Sequence, residues 1–509
     1  MEWTRRHLTR VSGPWALAMT LTTAACGSDD SDGSGDHASG AAGEAATPGS
    51  AGSDTGSSGD GGGGATSSAG GSAGDAGRET GGSGGSGGNA TAGSGGEPTA
   101  GSPGSGGNAT AGSSGAPPLP QACGQLPQPA SGDPTRVVAS AGELKAAVEG
   151  DASPGETVFV ASGTYRVEPM AVTVPDLTIR SESGNRDDVT LDLDYTPNSF
   201  DNGSIFNVWA SGITIAHLTL THAYNHPIHV TGTDDGDTTD TLIYDLHIVD
   251  GREQQIKINT DGSGQHVPRR GRVACSLIEL TDAGRANIAD YGGYSSCYTG
   301  GVDGHSAFEW VIENNVFRGI YCEGREIDIA EHAVHLWSTS GDNLVQNNVI
   351  IDCSRGVGIG MGDATQPNTI VRNNLMFATS SFSGFDTGVE LEGASDVSIV
   401  HNTMAGPITI GVNQRRDTDT GLVANNILTG SSHVVMGSSA CDVSDNYSLT
   451  DTGIFASLDP SSPRFLRLAS SASSDVVDTG LDLRATCPQD IDGDERDAQP
   501  DLGADELVP

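Results

Sequence analysis

A few titratable side chains occupy equivalent places in short apolar segments near the middle of the chain. Lys257, Asp303 and His335 each follow a Val or Ile directly, and His305 lies two residues beyond Asp303. Lys257 is also one of only two lysines in 509 residues. Lysine and histidine can accept or donate a proton in catalysis, and a carboxylate can hold a cation. If the fold stacks these segments, their residue types predict acid–base chemistry.

The segments belong to a repeat, and the repeat predicts how they are positioned. Each unit continues into a Val/Ile-x-Asn-Asn-apolar pattern, or a close variant of it, with repeat distances between 20 and 33 residues. Uneven repeats of this length are typical of a solenoid whose strands stack while its loops vary. We expect the second asparagine of each pair to form an inward ladder with a structural role. These asparagines are Asn315, Asn348, Asn374, Asn402 and Asn426, with Asn446 as a weaker sixth.

The start of the repeat region has a second signal. Residues 141–150 predict a short amphipathic helix, and Pro154-Gly155 predicts a turn before a strand at 158–161. A capping helix followed by PGETVFVASGTY (residues 154–165) resembles the entry to right-handed parallel β-helices of the pectate lyase and chondroitinase B type. The predicted fold is therefore all-β, a right-handed parallel β-helix (solenoid) with a short N-terminal capping helix. A β-propeller needs longer blades, and a doubly wound α/β fold needs helical periodicity.

Stacking the coils about 4.8 Å apart puts alternate residues of each strand on the outer face. Lys257, Asp303 and His335 then lie on successive rungs, with His305 and Trp337 beside them. The first predicted outward column is His229, Lys257, Asp303, His335, Gly358, Glu390 and Gly411. The second is Thr231, Asn259, His305, Trp337, Gly360, Glu392 and Asn413.

A long face of stacked strands suits a polymeric sugar, and β-elimination of a uronic acid chain is the favoured reaction. It needs a base for the C5 proton, an acid for the leaving oxygen and a cation for the carboxylate. The candidate catalytic residues are Lys257, His335, His305 and Glu331. The candidate substrate-binding residues are Asn259, Trp337, Arg355 and Arg270. The candidate ligands for a Ca²⁺ ion are Asp303, Glu390 and Glu392.

Chondroitinase B and the alginate lyases of this fold use a lysine base, an arginine partner and acidic Ca²⁺ ligands. Lys257 matches that lysine in type and in place, so the resemblance implies Lys257 as the base, although His335 also suits that role. His305 or His335 is the expected acid. The arginines of residues 269–272 could draw an anionic chain towards this face.

Two other functions are compatible with the same face. Glu390 and Glu392 lie on one strand at a separation of roughly 6.6 Å, which suits a glycoside hydrolase. A non-catalytic carbohydrate-binding or adhesive protein could use Trp337 and the polar columns without turnover. Nucleic acid is excluded as a partner by the formal charge of −41.

The ends of the chain predict export and a surface anchor. Residues 1–26 read as a lipoprotein-type signal peptide in which the small residues before Cys26 resemble a bacterial lipidation site. Residues 27–118 are rich in Gly and Ser and predict a disordered linker. The β-helix is expected over 119–450 and a C-terminal cap or tail over 451–509. We expect a monomeric outer-membrane lipoprotein or cell-surface protein, attached to the membrane only through its lipid.

Export also predicts disulfides, because the periplasm and the cell surface are oxidising. Spacing suggests the pairs Cys275–Cys297, Cys322–Cys353 and Cys441–Cys487. Cys123 is then left without a partner.

Overall fold

The computed structural model describes residues 123–197, 203–291, 294–325, 329–362, 365–430, 435–437, 440–449 and 452–507. The predicted signal segment with Cys26, and the predicted linker over 27–118, lie outside these ranges. None of the helices in the described ranges is long and apolar enough to cross a membrane.

Three long parallel sheets form the described chain, and successive strands rotate from one sheet to the next. The sheet that carries the candidate residues is called the site sheet. Its described strands are Met170–Val172, Phe206–Val208, Ile228–Thr231, Gln254–Asn259, Gly300–His305, His332–Trp337, Arg355–Ile359, Thr387–Leu391, Ile410–Gln414 and Val435–Met436. This arrangement is the right-handed parallel β-helix predicted from the repeat.

The other two sheets complete each coil. The strands of the second sheet are Thr135–Val138, Thr157–Val160, Thr178–Ser181, Thr214–Ala216, Leu242–Tyr244, Arg272–Ala274, Val311–Glu313, Leu344–Gln346, Ile370–Arg372, Val397–Val400, Thr420–Ala424 and Ala440–Ser444. The strands of the third sheet are Gly163–Arg166, Val189–Asp192, Thr219–Thr221, His247–Val249, Leu277–Glu279, Val316–Arg318, Val349–Ile351, Leu375–Phe377, Thr403–Ala405, Ile427–Thr429 and Tyr447–Leu449. Two short pairs lie outside the coils, Ala289–Tyr291 with Tyr294–Tyr298 and Gln366–Pro367 with Ala394–Ser395.

The predicted capping helix is confirmed. It spans Ala141–Ala146 and continues as a wider turn over Ala147–Asp151. The Ser140 hydroxyl accepts a hydrogen bond from the Glu143 amide at its start, which satisfies one of the free N–H groups of the first turn. Short helical turns also occur at Arg186–Asp188 and Asp282–Arg285.

The asparagine ladder is confirmed at the bend between the second and third sheets. The side-chain amide of Asn348 donates to Asn374 Oδ1 at 3.0 Å, and that of Asn374 donates to Asn402 Oδ1 at 2.9 Å. Each also donates to a backbone carbonyl of the preceding coil, as Asn374 does to Val345. The residue before each ladder position is left-handed, with φ of 53° at Asn373. Asparagine tolerates that conformation better than most residues, which explains the Asn-Asn pairs.

The core lies between the three sheets. The recurrent Val and Ile of the site sheet point into it, and Ile256, Val302, Val334, Val357 and Val389 are all fully buried. They stack on one another because the strands pair in register.

The last predicted rung is displaced by two residues. Val389 lies opposite Val412, so Glu390 lies beside Asn413 rather than Gly411. Ile410 and Val412 fit the inward pattern equally well in sequence, and the strand uses Val412 as the partner of Val389.

The predicted disulfide pairs are wrong. Cys275 bonds to Cys123 and Cys297 bonds to Cys322, with Cα–Cα distances of 5.6 Å and 6.0 Å. The N-terminal segment runs beside the turns of later coils, where Gly124 and Tyr244 exchange hydrogen bonds, and so reaches Cys275.

Three further cysteines carry no disulfide in the described residues: Cys353, Cys441 and Cys487. The side chain of Cys353 is buried in the core, and its predicted partner Cys322 is bonded to Cys297. Cys487 instead donates to Asn373 Oδ1 at 3.2 Å.

The C-terminal residues pack against the flank of the β-helix. Asn373, His401 and Asn425, which occupy the left-handed turn position of three successive coils, bond to backbone carbonyls of Gln489, Gly503 and Leu481. The tail therefore ties consecutive coils together along their side.

Candidate functional site

The centre of the candidate site is a buried ion pair on the outer face of the site sheet. Lys257 and Asp303 lie opposite each other in adjacent strands, and Lys257 Nζ is 2.6 Å from Asp303 Oδ2. The exposed fractions of the two residues are 3% and 2%. The predicted stacking is thus correct, but the side chains are covered rather than solvated. A buried pair of this kind needs further hydrogen bonds to offset the cost of desolvation.

Asp303 receives those bonds on both carboxylate oxygens. Trp337 Nε1 donates to Oδ1 at 2.7 Å, and Oδ2 lies between Lys257 and His305 Nε2, the latter at 3.3 Å. Burial alone would raise the pKa of Asp303, but the charge of Lys257 outweighs it and holds the pKa well below its usual range. Asp303 is therefore a carboxylate that organises its neighbours.

His305 lies at the edge of this group, with 16% of its side chain exposed. Its Nε2 is 3.0 Å from Lys257 Nζ. An ammonium group can only donate, so His305 Nε2 is the acceptor in that contact. The ring packs edge-on against Trp337 with a centroid distance of 3.9 Å. Burial lowers the pKa of His305 despite the opposing influence of Asp303.

His335 occupies the next rung, opposite Asp303, and its ring stacks on Trp337 at 5.5 Å. Its Nε2 lies 3.2 Å from the carbonyl of Gly360, to which it donates. Its Nδ1 is 3.8 Å from Asp303 Oδ1 and 3.8 Å from Glu331 Oε2. The structure therefore brings Glu331, which directly precedes the strand His332–Trp337, to His335. These three side chains lie close enough to hold a metal ion, since their ligand atoms are all within 4.8 Å of one another.

The other predicted metal ligands belong to a separate group. Glu390 lies three rungs from Asp303, on the order of 14 Å away. Arg415 Nη1 contacts Glu390 Oε1 at 3.2 Å, and Arg416 Nη2 contacts Glu392 Oε1 at 2.9 Å. Carboxylates paired with arginines and distant from Asp303 do not fit the predicted Ca²⁺ site, because Ca²⁺ requires several converging oxygen ligands.

The same contacts disfavour hydrolysis by this pair of glutamates. A glycosidase needs one carboxyl group that stays protonated near neutral pH. Burial opposes ionisation of Glu390, but Arg355 and Arg415 together lower its pKa below the ordinary value. With Glu392 also facing Arg415 and Arg416, neither side chain has the surroundings of a general acid.

The predicted substrate-binding residues are divided by the fold. Trp337 belongs to the buried group that it forms with Lys257, Asp303, His305 and His335, which is called the cluster. Asn259 ends the strand that carries Lys257. Arg355 is half-buried near Glu390, at 3.9 Å. Arg270 is not brought to the cluster, because it lies in the turn before Arg272–Ala274 of the second sheet and pairs with Asp240 at 2.9 Å.

Sequence reasoning gave no role to His332, although it lies in the site. Its ring is 2% exposed and lies 4.7 Å from the His335 ring. It fills the space above Gly358, where a Cβ atom would come within 2.6 Å of the His332 ring. The glycine in the outward column was the available signal, because a missing side chain between two polar rungs leaves room for a neighbour.

Comparisons with known proteins agree with this fold. Residues 319–459 match the family described as periplasmic copper-binding protein (NosD). The structure of pectate lyase Pel9A aligns with a TM-score of 0.53 and 14% identity, over 74% of this chain and 98% of that chain. An alginate lyase from Paenibacillus sp. str. FPU-7 aligns with a TM-score of 0.44 and 15% identity, over 62% and 99%. No curated protein matches the chain. The chain thus has the right-handed parallel β-helix fold of the pectate lyase type.

Proposed function

We propose that this protein cleaves a uronic-acid-containing polysaccharide by β-elimination on the site sheet. The observation that carries the proposal is the contact of Lys257 Nζ with His305 Nε2 at 3.0 Å, at the partly exposed edge of the cluster. A proton donor and a proton acceptor are thereby held side by side. β-Elimination needs such a pair, because the base and the acid act on neighbouring atoms of the sugar ring.

The roles follow from the partners of each group. Asp303 favours the ammonium form of Lys257, which suits Lys257 better as acid than as the base implied by the family resemblance. In the reaction, His305 Nε2 takes the C5 proton while Lys257 gives a proton to the leaving oxygen. The C4–O bond breaks and a C4–C5 double bond forms. A proton then returns from His305 to Lys257 across their contact, which restores both groups.

The substrate carboxylates require cations along the sheet. Arg355, which is 13% exposed in its side chain, begins its strand opposite His332 and lies two rungs from His305, so it is the candidate for the carboxylate of a neighbouring sugar. Trp337 is 7% exposed and packs against His305 and His335, so it positions the reacting groups rather than stacking on a sugar ring, whereas Asn259 remains a candidate hydrogen-bond partner. The parallel β-helix, shared with a pectate lyase, supports a polymeric ligand because its stacked strands form a long face.

The test is product formation from polygalacturonate, alginate and a glycosaminoglycan by the full-length protein. Elimination creates a conjugated double bond, so we expect ultraviolet absorbance to rise together with reducing ends. Reducing ends without absorbance would indicate hydrolysis. Binding to one polymer without any product would favour the adhesive function, and neither binding nor product with a panel of acidic polymers would refute the proposal.

A matched pair of histidine variants assigns the activity to the cluster. His305→Ala should lower kcat/KM by about 10²–10⁴-fold, the usual contribution of a general base. His266→Ala, at a partly exposed histidine 4.0 Å from Asp237 and outside the cluster, should leave it unchanged. Equal activity in both variants would remove His305 from the mechanism.

We also propose that the protein is exported and anchored through a lipid on Cys26. The match to a family described as periplasmic supports export. Radiolabelled palmitate should be incorporated by the wild type and not by Cys26→Ser. Equal labelling of both would refute the anchor.

A further inference from the structure

The geometry points to a site for a divalent first-row transition metal ion formed by Asp303, Glu331 and His335. Their three ligand atoms, Asp303 Oδ1, Glu331 Oε2 and His335 Nδ1, all lie within 4.8 Å of one another. His335 is 2% exposed, and its Nδ1 has no hydrogen-bond partner in the described structure. Glu331 Oε2 is likewise buried and unpartnered.

The distances fit a shared ion better than hydrogen bonds. His335 Nδ1 is 3.8 Å from each carboxylate oxygen, beyond the range of a hydrogen bond. Two ligands that bind one ion at about 2.0–2.2 Å can lie up to roughly 4.4 Å apart. Small movements of the Glu331 side chain, which is 18% exposed, would bring the third ligand into the same range.

The surrounding bonds orient the ligands as in known metal sites. His335 Nε2 donates to the carbonyl of Gly360, which directs the Nδ1 lone pair towards the two carboxylates. Trp337 Nε1 donates to Asp303 Oδ1 and fixes that carboxylate. Two carboxylate oxygens and an imidazole nitrogen that face one point favour a cation between them.

The donor set selects the class of ion. One imidazole nitrogen with two carboxylate oxygens suits Zn²⁺, Mn²⁺ or Co²⁺. Ca²⁺ prefers six to eight oxygen ligands and is a poor match for an imidazole. This site shares only Asp303 with the Ca²⁺ site expected from the sequence, and it takes a different class of metal ion.

The experiment is calorimetric titration of Zn²⁺ into full-length, chelator-treated protein that carries no histidine tag. We expect one tight site per chain. Glu331→Gln and His335→Gln should each abolish it or weaken it by more than about 100-fold, because changes to residues that only orient a ligand typically cost 10–100-fold. His266→Gln is the control and should bind like the wild type. Ca²⁺ titrated in place of Zn²⁺ should not occupy the site.

A second readout keeps the result independent of catalysis. Co²⁺ bound by the wild type should give visible d–d absorption that Glu331→Gln abolishes, whether or not any polysaccharide is cleaved. Glu331 is partly exposed, so this variant should fold even if His335→Gln does not. Absence of a stoichiometric Zn²⁺ site in the wild type, or the same affinity in wild type and Glu331→Gln, would overturn the inference.

Discussion

Replacing Asn374 by alanine should destabilise the β-helix strongly, because this side chain is the centre of the asparagine ladder. Its amide donates to Asn402 Oδ1 and to the carbonyls of Val345 and Arg372 at 2.9–3.0 Å. Its Oδ1 accepts from the backbone and side-chain amides of Asn348, both at 3.0 Å. The side chain is completely buried, so water does not replace these bonds without local opening.

The size of the effect follows from the groups left unpaired. Asn374→Ala leaves the Asn348 N–H and the Val345 carbonyl without these partners. Each buried unsatisfied group costs about 1–3 kcal/mol, so these two groups together should lower the free energy of unfolding by about 4 kcal/mol. With an unfolding entropy of about 0.8 kcal/mol per kelvin for a folded part of this size, Tm should fall by about 5 °C.

Thermal unfolding of the full-length protein, followed by circular dichroism, measures this shift. Asn374→Asp keeps the volume but loses the donor, so it should also lower Tm. Asn287→Ala removes an exposed side chain with a 3.0 Å bond to the Ala283 carbonyl and should change stability by less than about 1 kcal/mol. A Tm for Asn374→Ala within 1 °C of the wild type, or a wild-type Tm for Asn374→Asp, would refute the hydrogen-bond account.

Further predictions concern the C-terminal tail and the disulfides. Burial raises the pKa of Asp505 to about 7, so the folded state holds a proton that the unfolded state has lost above about pH 4. The free energy of unfolding should therefore fall as pH rises from 4 to 7, with up to about 4 kcal/mol of the decline due to this group. Asp505→Asn should remove that part of the decline, measured as Tm against pH. Parallel Tm–pH profiles for wild type and variant would contradict this role of Asp505. The loss of loop-closure entropy predicts that Cys123→Ser, which breaks a bond spanning 152 residues, lowers the free energy of unfolding by about 5 kcal/mol. Cys297→Ser breaks a bond spanning 25 residues and should lower it by about 3.5 kcal/mol. Urea denaturation that ranks the two variants in the reverse order would refute this prediction.

The sequence predicts the fold well because one structural unit is repeated. A single Asn-Asn pair says little, but six similar bends fix the coil boundaries and therefore the strands between them. Once the coils are aligned, the order Lys257, Asp303, His335 follows from the strand period alone, and the structure reproduces it. The alignment failed only where two apolar residues, Ile410 and Val412, offered equivalent registers.

Contacts between distant parts of the chain were not predictable in this way. Cys123 reaches Cys275 because the N-terminal segment follows the flank of the β-helix, and nothing in the local pattern encodes that path. The arginines that pair with Glu390 and Glu392 also lie beyond the aligned columns, at 415 and 416. Residue type identified these glutamates as ligands, whereas their partners make them components of a salt-bridge network.

The burial of the cluster has a physical origin that alignment alone does not reveal. Stacked rungs are about 4.8 Å apart, which is shorter than an extended lysine side chain, so neighbouring long side chains lie across one another. Lys257 and Asp303 attract each other, and the neighbouring ring of His335 helps to shield their charges from water. Only the side chains at the margin, such as those of His305 and Glu331, keep 16% and 18% exposure. A ligand must therefore approach from that margin, and this is why His305 and Glu331, rather than the more buried residues, provide the variants that separate function from folding.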